Sequence, residues 1–301
     1  MDRLMNPLEK DPALRRYLRE KLRAWGVSPN KRLGQSFLVE AAVADRIVEA
    51  LSLSLEESVI EIGPGAGVLT VRLARQAGYV AAVEIDRALA EGLRRDMHAL
   101  RHVAVLHADA IDIPWNRMVR PGVPSARLKV TGNLPYAATG PLLERFLIEP
   151  PKAVKMVIMV QKEVADRLTE APGSRRYGAL SVMAGYRAAV YRIMNVKRTC
   201  FWPEPKVDSS VLGFDFYSVP PVHVTTERHF FQILRSSFQT RRKMLKNALT
   251  NSPALHYTKT QIQEALREAD INGRLRPEAL DLSAFAKLSN ALESMNPIET
   301  K

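Results

Sequence analysis

The segment Val59-Ile60-Glu61-Ile62-Gly63-Pro64-Gly65-Ala66-Gly67 constrains the fold most, because an apolar run of strand type ends in a glycine-rich turn that opens directly into a helical pattern. Glycines at such a turn let the backbone approach a ligand where side chains would stand in the way. The spacing is Gly-x-Gly-x-Gly and differs from the Gly-x-Gly-x-x-Gly of dinucleotide folds, so taken alone it also fits a plain tight turn. The surrounding pattern says more. From Ser58 to about Val160, short apolar runs alternate with helical stretches, as a parallel sheet with crossover helices requires. Strands are expected at Val59–Ile62, Val80–Ile85, Val103–His107, Leu128–Thr131 and Val154–Val160, and helices at Val68–Gln76, Arg87–Ala99 and Pro141–Leu147. Two further strands, Ala188–Val196 and Ser210–Phe216, are joined by a Pro-rich loop and would give the sheet an antiparallel edge. The expected class is a doubly wound α/β domain. After Val219, Pro220 and Pro221 mark a linker, and the rest patterns as a small helical domain.

Acidic residues follow successive strands. Glu84 ends the second strand about 20 residues beyond the glycine turn, where a carboxylate accepts hydrogen bonds from both ribose hydroxyls of a nucleotide-like ligand. Asp86 is placed to cap the next helix. Asp109, after the third strand in His107-Ala108-Asp109-Ala110, can accept an adenine exocyclic amine, with a turn or cap role as the alternative. A ligand with ribose and adenine but no pyrophosphate motif fits S-adenosylmethionine, and the chain has no Gly-x-x-x-x-Gly-Lys-[Ser/Thr] of an ATPase. Methyl transfer is the chemistry expected.

Thr131-Gly132-Asn133-Leu134-Pro135-Tyr136 follows the fourth strand, at the carboxyl edge where ligands of such sheets bind. An exocyclic amine is a poor nucleophile because its lone pair is delocalised into the ring. Two acceptors, the Asn133 amide oxygen and a carbonyl of Leu134 or Pro135, would favour a pyramidal nitrogen aimed at the methyl group, so positioning can carry most of the acceleration. Tyr136 and Phe201 are candidates to stack on the two faces of the base, although each also reads as a core aromatic. Cys200 is a lone cysteine, which excludes an internal disulfide and a Cys-based zinc site, and no Pro-Cys stands at the fourth strand for thiolate chemistry on a pyrimidine. The histidines (98, 102, 107, 223, 229 and 256) lack ligand spacing, so no metal is expected.

Composition narrows the partner. With 46% hydrophobic and 25% charged residues the chain is neither disordered nor a membrane bundle. Its 44 Lys and Arg against 32 Asp and Glu leave a net charge of +12. That balance points to a polyanion, with nucleic acid first. The basic cluster Arg241, Arg242, Lys243 and Lys246 would neutralise phosphates, Arg242 and Lys246 sharing a helix face at a spacing of four. A second basic loop holds Arg175 and Arg176 beside Tyr177. Residues 11 to 25 place Leu14, Leu18, Leu22 and Trp25 at helical spacing among arginines and lysines, an amphipathic basic helix that either packs with a wet face or touches RNA directly. Charges and Pro7 in Met1–Lys10 are unlike a signal peptide, so a cytoplasmic protein is expected.

Taken together, these residues resemble the ribosomal RNA adenine dimethyltransferase family, and within it the bacterial type that acts on the small subunit. The resemblance runs through Lys31-Arg32-Leu33-Gly34-Gln35-Ser36-Phe37-Leu38, the glycine turn, Glu84, Asp109 and Asn133-Leu134-Pro135-Tyr136. It continues through Tyr177-Gly178, Phe201-x-Pro203-x-Pro205-x-Val207-x-Ser209 and Ser236-Ser237-Phe238-x-x-Arg241-Arg242-Lys243-x-Leu245-x-Asn247. It implies a Rossmann-like methyltransferase sheet over residues 30–219 and a helical rRNA-binding domain at 220–301, while residues 1–29 form an N-terminal helical extension beyond the part that matches. S-adenosylmethionine would be held by Gln35, Ser36, Leu38, Gly63, Gly65, Glu84, Ile85, Asp109, Ala110 and Asn133. Catalysis would fall to Asn133, Leu134, Pro135, Tyr136 and Phe201, and RNA contact to Arg175, Arg176, Arg241, Arg242, Lys243 and Lys246. The implied reaction is N6-dimethylation of two adjacent adenosines in a hairpin loop near the 3′ end of small-subunit rRNA, by a monomer acting on an assembly intermediate. The family usually has Asn where this chain has Ser36, whose hydroxyl could replace the amide contact directly or through water; weaker cofactor binding without loss of function is expected. Two other readings share some of these features: a resistance-type methyltransferase of large-subunit rRNA, and an assembly or transcription factor without turnover.

Overall fold

The computed structural model describes residues 11–30, 34–115, 118, 128–150, 152–240 and 242–295. The chain divides into two compact units, residues 1–165 with 191–216, and residues 166–190 with 217–301.

In the first unit, β2 (Ser58–Ile62), β3 (Tyr79–Glu84), β4 (Val103–His107), β5 (Leu128–Asn133) and β6 (Lys155–Gln161) run parallel, and β9 (Ser209–Phe216) pairs antiparallel with β6. Among the described residues the sheet order is β4-β3-β2-β5-β6-β9-β7, with β7 at Ala188–Val196. The two strands expected at the antiparallel edge are there, β9 next to β6 and β7 outermost. Every residue of β2 lies in the interior, as a strand covered on both faces requires. Helix α2 (Ala41–Leu51) precedes β2, while α3 (Val68–Gln76), α4 (Arg87–Met97), α5 (Thr139–Ile148) and α6 (Lys162–Leu168) follow β2, β3, β5 and β6. Asp86 caps α4, its Oδ1 accepting from the amides of Ala88 and Leu89 at 3.0 and 3.2 Å. A short antiparallel pair links β1 (Phe37–Leu38) to β8 (Phe201–Trp202), in the register Phe37 to Trp202 and Leu38 to Phe201.

Two boundaries differ from the sequence expectation. The N-terminal helix α1 (Asp11–Ala24) is no separate extension, because Leu14, Leu18 and Leu22 are part of the same core cluster as the sheet. Residues 166–190, expected with the sheet, belong to the second unit. There α7 (Ala179–Arg187) packs on α8 (Glu227–Phe238): the Tyr186 ring lies against Phe230 and Phe231, and the Arg187 guanidinium pairs with Glu227 at 2.6 Å. Such contacts join residues about forty apart in sequence and leave no local pattern to read. The second unit continues with α9 (Leu245–Thr250), α10 (Lys259–Glu268) and α11 (Leu282–Ser294). Among the described residues no helix is long and apolar enough to cross a membrane.

Candidate active site

The carboxyl ends of β2, β3 and β5 open onto one cleft, the ligand position of an open α/β sheet. Its empty volume, the solvent-open mouth included, is about 810 Å³. Gln35, Ser36, Leu38, Gly63, Gly65, Glu84, Ile85, Asn133, Leu134, Pro135, Tyr136 and Phe201 all line it. These are residues that the sequence reading selected from five separate stretches, and the fold brings them together.

The glycine turn forms the floor. Gly63 and Gly65 take φ of +67° and +55°, and a Cβ on Gly65 would stand 3.0 Å from the Phe37 ring. Gly65→Ala is therefore expected to cost about 1–2 kcal/mol of stability, checked by urea denaturation, and to weaken cofactor binding, checked by calorimetry.

Glu84 is buried, and each of its oxygens takes one backbone donor: Oε2 from the Gly65 amide and Oε1 from the Asp86 amide, both at 3.0 Å. Burial raises its pKa, and the amides of Asp86, Gly65 and Ile85 oppose the rise. A carboxylate has about four lone-pair positions, so acceptor capacity remains for a ligand hydroxyl.

Asn133 ends β5, and its Nδ2 donates to the Ser36 carbonyl at 3.1 Å. That bond fixes which end of the amide is which and leaves Oδ1 as a free-standing acceptor at the cleft wall. The Pro135 carbonyl already accepts from the Ala138 amide at 3.0 Å and the Thr139 hydroxyl at 2.9 Å. Tyr136 is pinned by its hydroxyl to Ser209 Oγ at 2.9 Å, and burial raises its pKa, so the phenol keeps its proton. Phe201 lines the cleft while 1% exposed, as much a core side chain as a wall.

The Ser36 hydroxyl donates to the Pro203 carbonyl, beyond the cis Trp202–Pro203 bond, because the β1–β8 pairing brings the two segments side by side. Gln35 is likewise engaged within the protein, its Nε2 donating to Asp86 Oδ2 at 3.0 Å and its Oε1 accepting from the Asn30 amide at 2.8 Å. Asp109 and Ala110 follow β4 and lie outside the lining residues. Asp109 Oδ1 accepts from the Ile111 amide at 2.8 Å, and Arg145 holds the Ala110 and Ile113 carbonyls.

Sequence reasoning missed Glu61. This lining residue is fully buried in β2, and Thr70 donates to its Oε2 at 2.6 Å. Burial first, and then the Glu84 charge, push its carboxyl up to about 8. The signal was present, a lone carboxylate inside the apolar run Val59-Ile60-Glu61-Ile62.

The basic candidates lie in the second unit. Arg176 pairs with Asp166 at 3.2 Å, and Arg175 is exposed beside it. Arg242 and Lys246 do not share a helix face. Lys243 closes a turn on the Thr240 carbonyl, Met244 is extended at φ −63° and ψ 150°, and α9 starts only at Leu245. Arg242 and Lys243 are exposed on that turn, and Arg241 lies outside the described residues. Among the described residues no cluster of His, Cys, Asp or Glu could hold a metal ion.

Known proteins share this arrangement. A ribosomal RNA small subunit methyltransferase A of Pelotomaculum thermopropionicum is 41% identical over 280 residues, covering 91% of this chain and 95% of that protein. The crystal structure of a dimethyladenosine transferase from Plasmodium falciparum superposes with a TM-score of 0.70 at 25% identity, over 84% of this chain and 95% of that one. The 23S rRNA methyltransferase ErmE shares the fold, with a TM-score of 0.62 at 24% identity over 85% of this chain and 99% of its own. The family model described as ribosomal RNA adenine dimethylase matches residues 26–288, and the chain belongs to that family.

Proposed function

We infer that this chain transfers methyl groups from S-adenosylmethionine to the N6 nitrogens of adenosine in small-subunit ribosomal RNA, at two adjacent adenosines in the 3′-terminal hairpin loop. The carrying observation is the Asn133 amide, oriented by the Ser36 carbonyl in the same cleft wall that holds Glu84 and the glycine turn. Family membership supports the adenine target, and the name of the Pelotomaculum relative supports the small subunit.

The cleft suits the cofactor. Glu84 keeps acceptor capacity for a ribose hydroxyl, and the glycine turn admits a ligand where a Cβ on Gly65 would already crowd Phe37. Asp109 is assigned to the adenine amine through the carboxylate oxygen that Ile111 leaves free. When bound, the cofactor supplies an electrophilic methyl carbon on a cationic sulfur. The chain's own residues then act on the incoming base. Asn133 Oδ1 and the Leu134 carbonyl accept hydrogen bonds from the two N6 hydrogens in the first transfer and from the one that remains in the second; each time N–C forms as S–C breaks to a neutral thioether, and the N6 proton passes to solvent. Leu134 is chosen over Pro135 because the Pro135 carbonyl is already taken by Ala138 and Thr139. Two acceptors draw the nitrogen toward a pyramidal shape, and the work is done by orientation with no strong base. Tyr136, locked to Ser209, offers one stacking face and Phe201 the other.

The lining residues all belong to the first unit of one chain, which supports a monomeric enzyme. Arg175, Arg176, Arg242, Lys243 and Lys246 of the second unit are assigned to rRNA phosphates. The substrate is a small-subunit precursor, and the place of action is the cytoplasm where subunits assemble.

The test is to incubate the protein with labelled S-adenosylmethionine and, separately, unmethylated small subunits, large subunits and free rRNA, and then to map the modified nucleotides. Label confined to two neighbouring adenosines of small-subunit rRNA is expected. Label in large-subunit rRNA alone would refute the assignment.

A further inference from the structure

Methyl transfer leaves one sequence motif unused, the basic helix α1. Its apolar stripe is already committed, since Leu14, Leu18 and Leu22 are at most 1% exposed in the first unit's core. Two contacts fix the helix against α4. The Lys21 ammonium pairs with Asp96 at 2.8 Å, and the Trp25 indole covers Gly92, where a Cβ would stand 2.3 Å from the ring. The helix is thus a fixed platform.

What it leaves in water is cationic: Arg15, Arg16, Arg19 and Arg23 are exposed, with only Glu20 and Ala24 beside them among the described residues of α1. Arg15, Arg19 and Arg23 recur at intervals of four and so share one face, stepping about 6 Å along the axis each time. That face borders the segment that walls the cleft. Arg15 Nη2 donates to the Phe201 carbonyl at 3.3 Å, and the Arg19 guanidinium lies over the Trp202 ring, 5.5 Å from its centroid. A guanidinium held on an aromatic face loses less freedom when its N–H fork meets a phosphate.

The geometry points to a second RNA contact surface: the Arg15, Arg19 and Arg23 face of α1 holds the phosphates of the strand that flanks the adenosine delivered to the cleft. This rests on the methyl-transfer reading above. The step between these arginines is close to the separation of successive phosphates on an extended strand, and each guanidinium can engage a phosphate bidentately. A protein partner would need an apolar centre that this face lacks. A membrane surface would need the leucine stripe, which is already buried.

The test measures binding of a synthetic hairpin RNA, with two adjacent adenosines in its loop, between about 50 and 200 mM salt. Arg19→Glu combined with Arg23→Glu is expected to raise Kd at least tenfold, and to flatten the slope of log K against log salt by about 1.4, or roughly 0.7 for each single-strand phosphate left unneutralised. The rise should show in KM for RNA, with the cofactor Kd and the urea midpoint unmoved, as a merely structural role would not allow. Arg46→Glu carries the same charge change as Arg23→Glu on a different helix, α2, with its side chain 59% exposed, and should shift Kd less than threefold. An unchanged slope in the double variant, or equal effects of Arg46→Glu and Arg23→Glu, overturns the proposal. If the double variant fails to fold, Arg23→Glu alone is read on the same slope, and no change there overturns it too. Wild-type protein that methylates no rRNA would instead defeat the functional reading, whatever the slope.

Discussion

Asn133→Ala is expected to lower kcat by about 10²–10³-fold or more, the scale seen when one preorganised polar group is removed from a reacting centre. Hairpin RNA should still bind within about threefold of wild type, because phosphate contacts rather than this amide supply most of the affinity. The reason lies in the division of labour within one side chain. Nδ2 is held by the Ser36 carbonyl, which leaves Oδ1 as the end of the amide proposed to accept from the base. Asn133→Asp tests this directly: a carboxylate is the better acceptor, but it has no donor for the Ser36 carbonyl and would repel it. It should therefore be nearly as slow as Asn133→Ala. Single-turnover methylation of unmethylated small subunits checks both variants, and full activity in either would remove Asn133 from the mechanism.

The second large effect is on stability and belongs to Glu61. Its carboxyl titrates at about 8 in the folded protein against an ordinary 4.5. Below pH 4.5 the folded and unfolded chains both carry the proton, and burying the group costs little. Between pH 4.5 and 8 the unfolded chain ionises while the folded one keeps its proton, so stability falls across that window and levels off above it. Glu61→Gln keeps an acceptor for the Thr70 hydroxyl and abolishes the titration. Urea unfolding at pH 5 and pH 9 should show wild type losing roughly 3–5 kcal/mol more than Glu61→Gln. Parallel pH profiles for the two proteins would show that Glu61 does not carry this linkage.

Much of the cleft could be read from the chain because its parts are local. The run from Val59 to Gly67 and the periodicity of Val68–Gln76 each specify one element from their own residues, and α3 has the expected ends. Glu84 and Asn133 could be placed because strand ends in such a sheet converge on one rim. The features that escaped are non-local. Nothing in Ser209–Phe216 says that it will insert between β6 and β7. Nothing near Tyr186 announces Phe230. Glu61 was hidden by the strand that surrounds it. Ser36 invited a comparison by size and polarity, yet its hydroxyl serves Pro203, which lies 167 positions away. The stripe of Arg242 and Lys246 failed for a local reason that patterning does not weigh, an extended Met244 between turn and helix.

The second unit is assembled from two stretches, 166–190 and 217–301, so the polypeptide leaves the sheet, comes back to finish it with β9, and departs again. No single cut in the gene can then separate the halves cleanly. A fragment stopping at Phe216 would carry Arg187 without its Glu227, and one starting at Tyr217 would lack α7 altogether. Grafting this tail onto another methyltransferase would require transplanting both stretches, and a nonsense codon late in the message would strip an inserted helix whose own codons are intact.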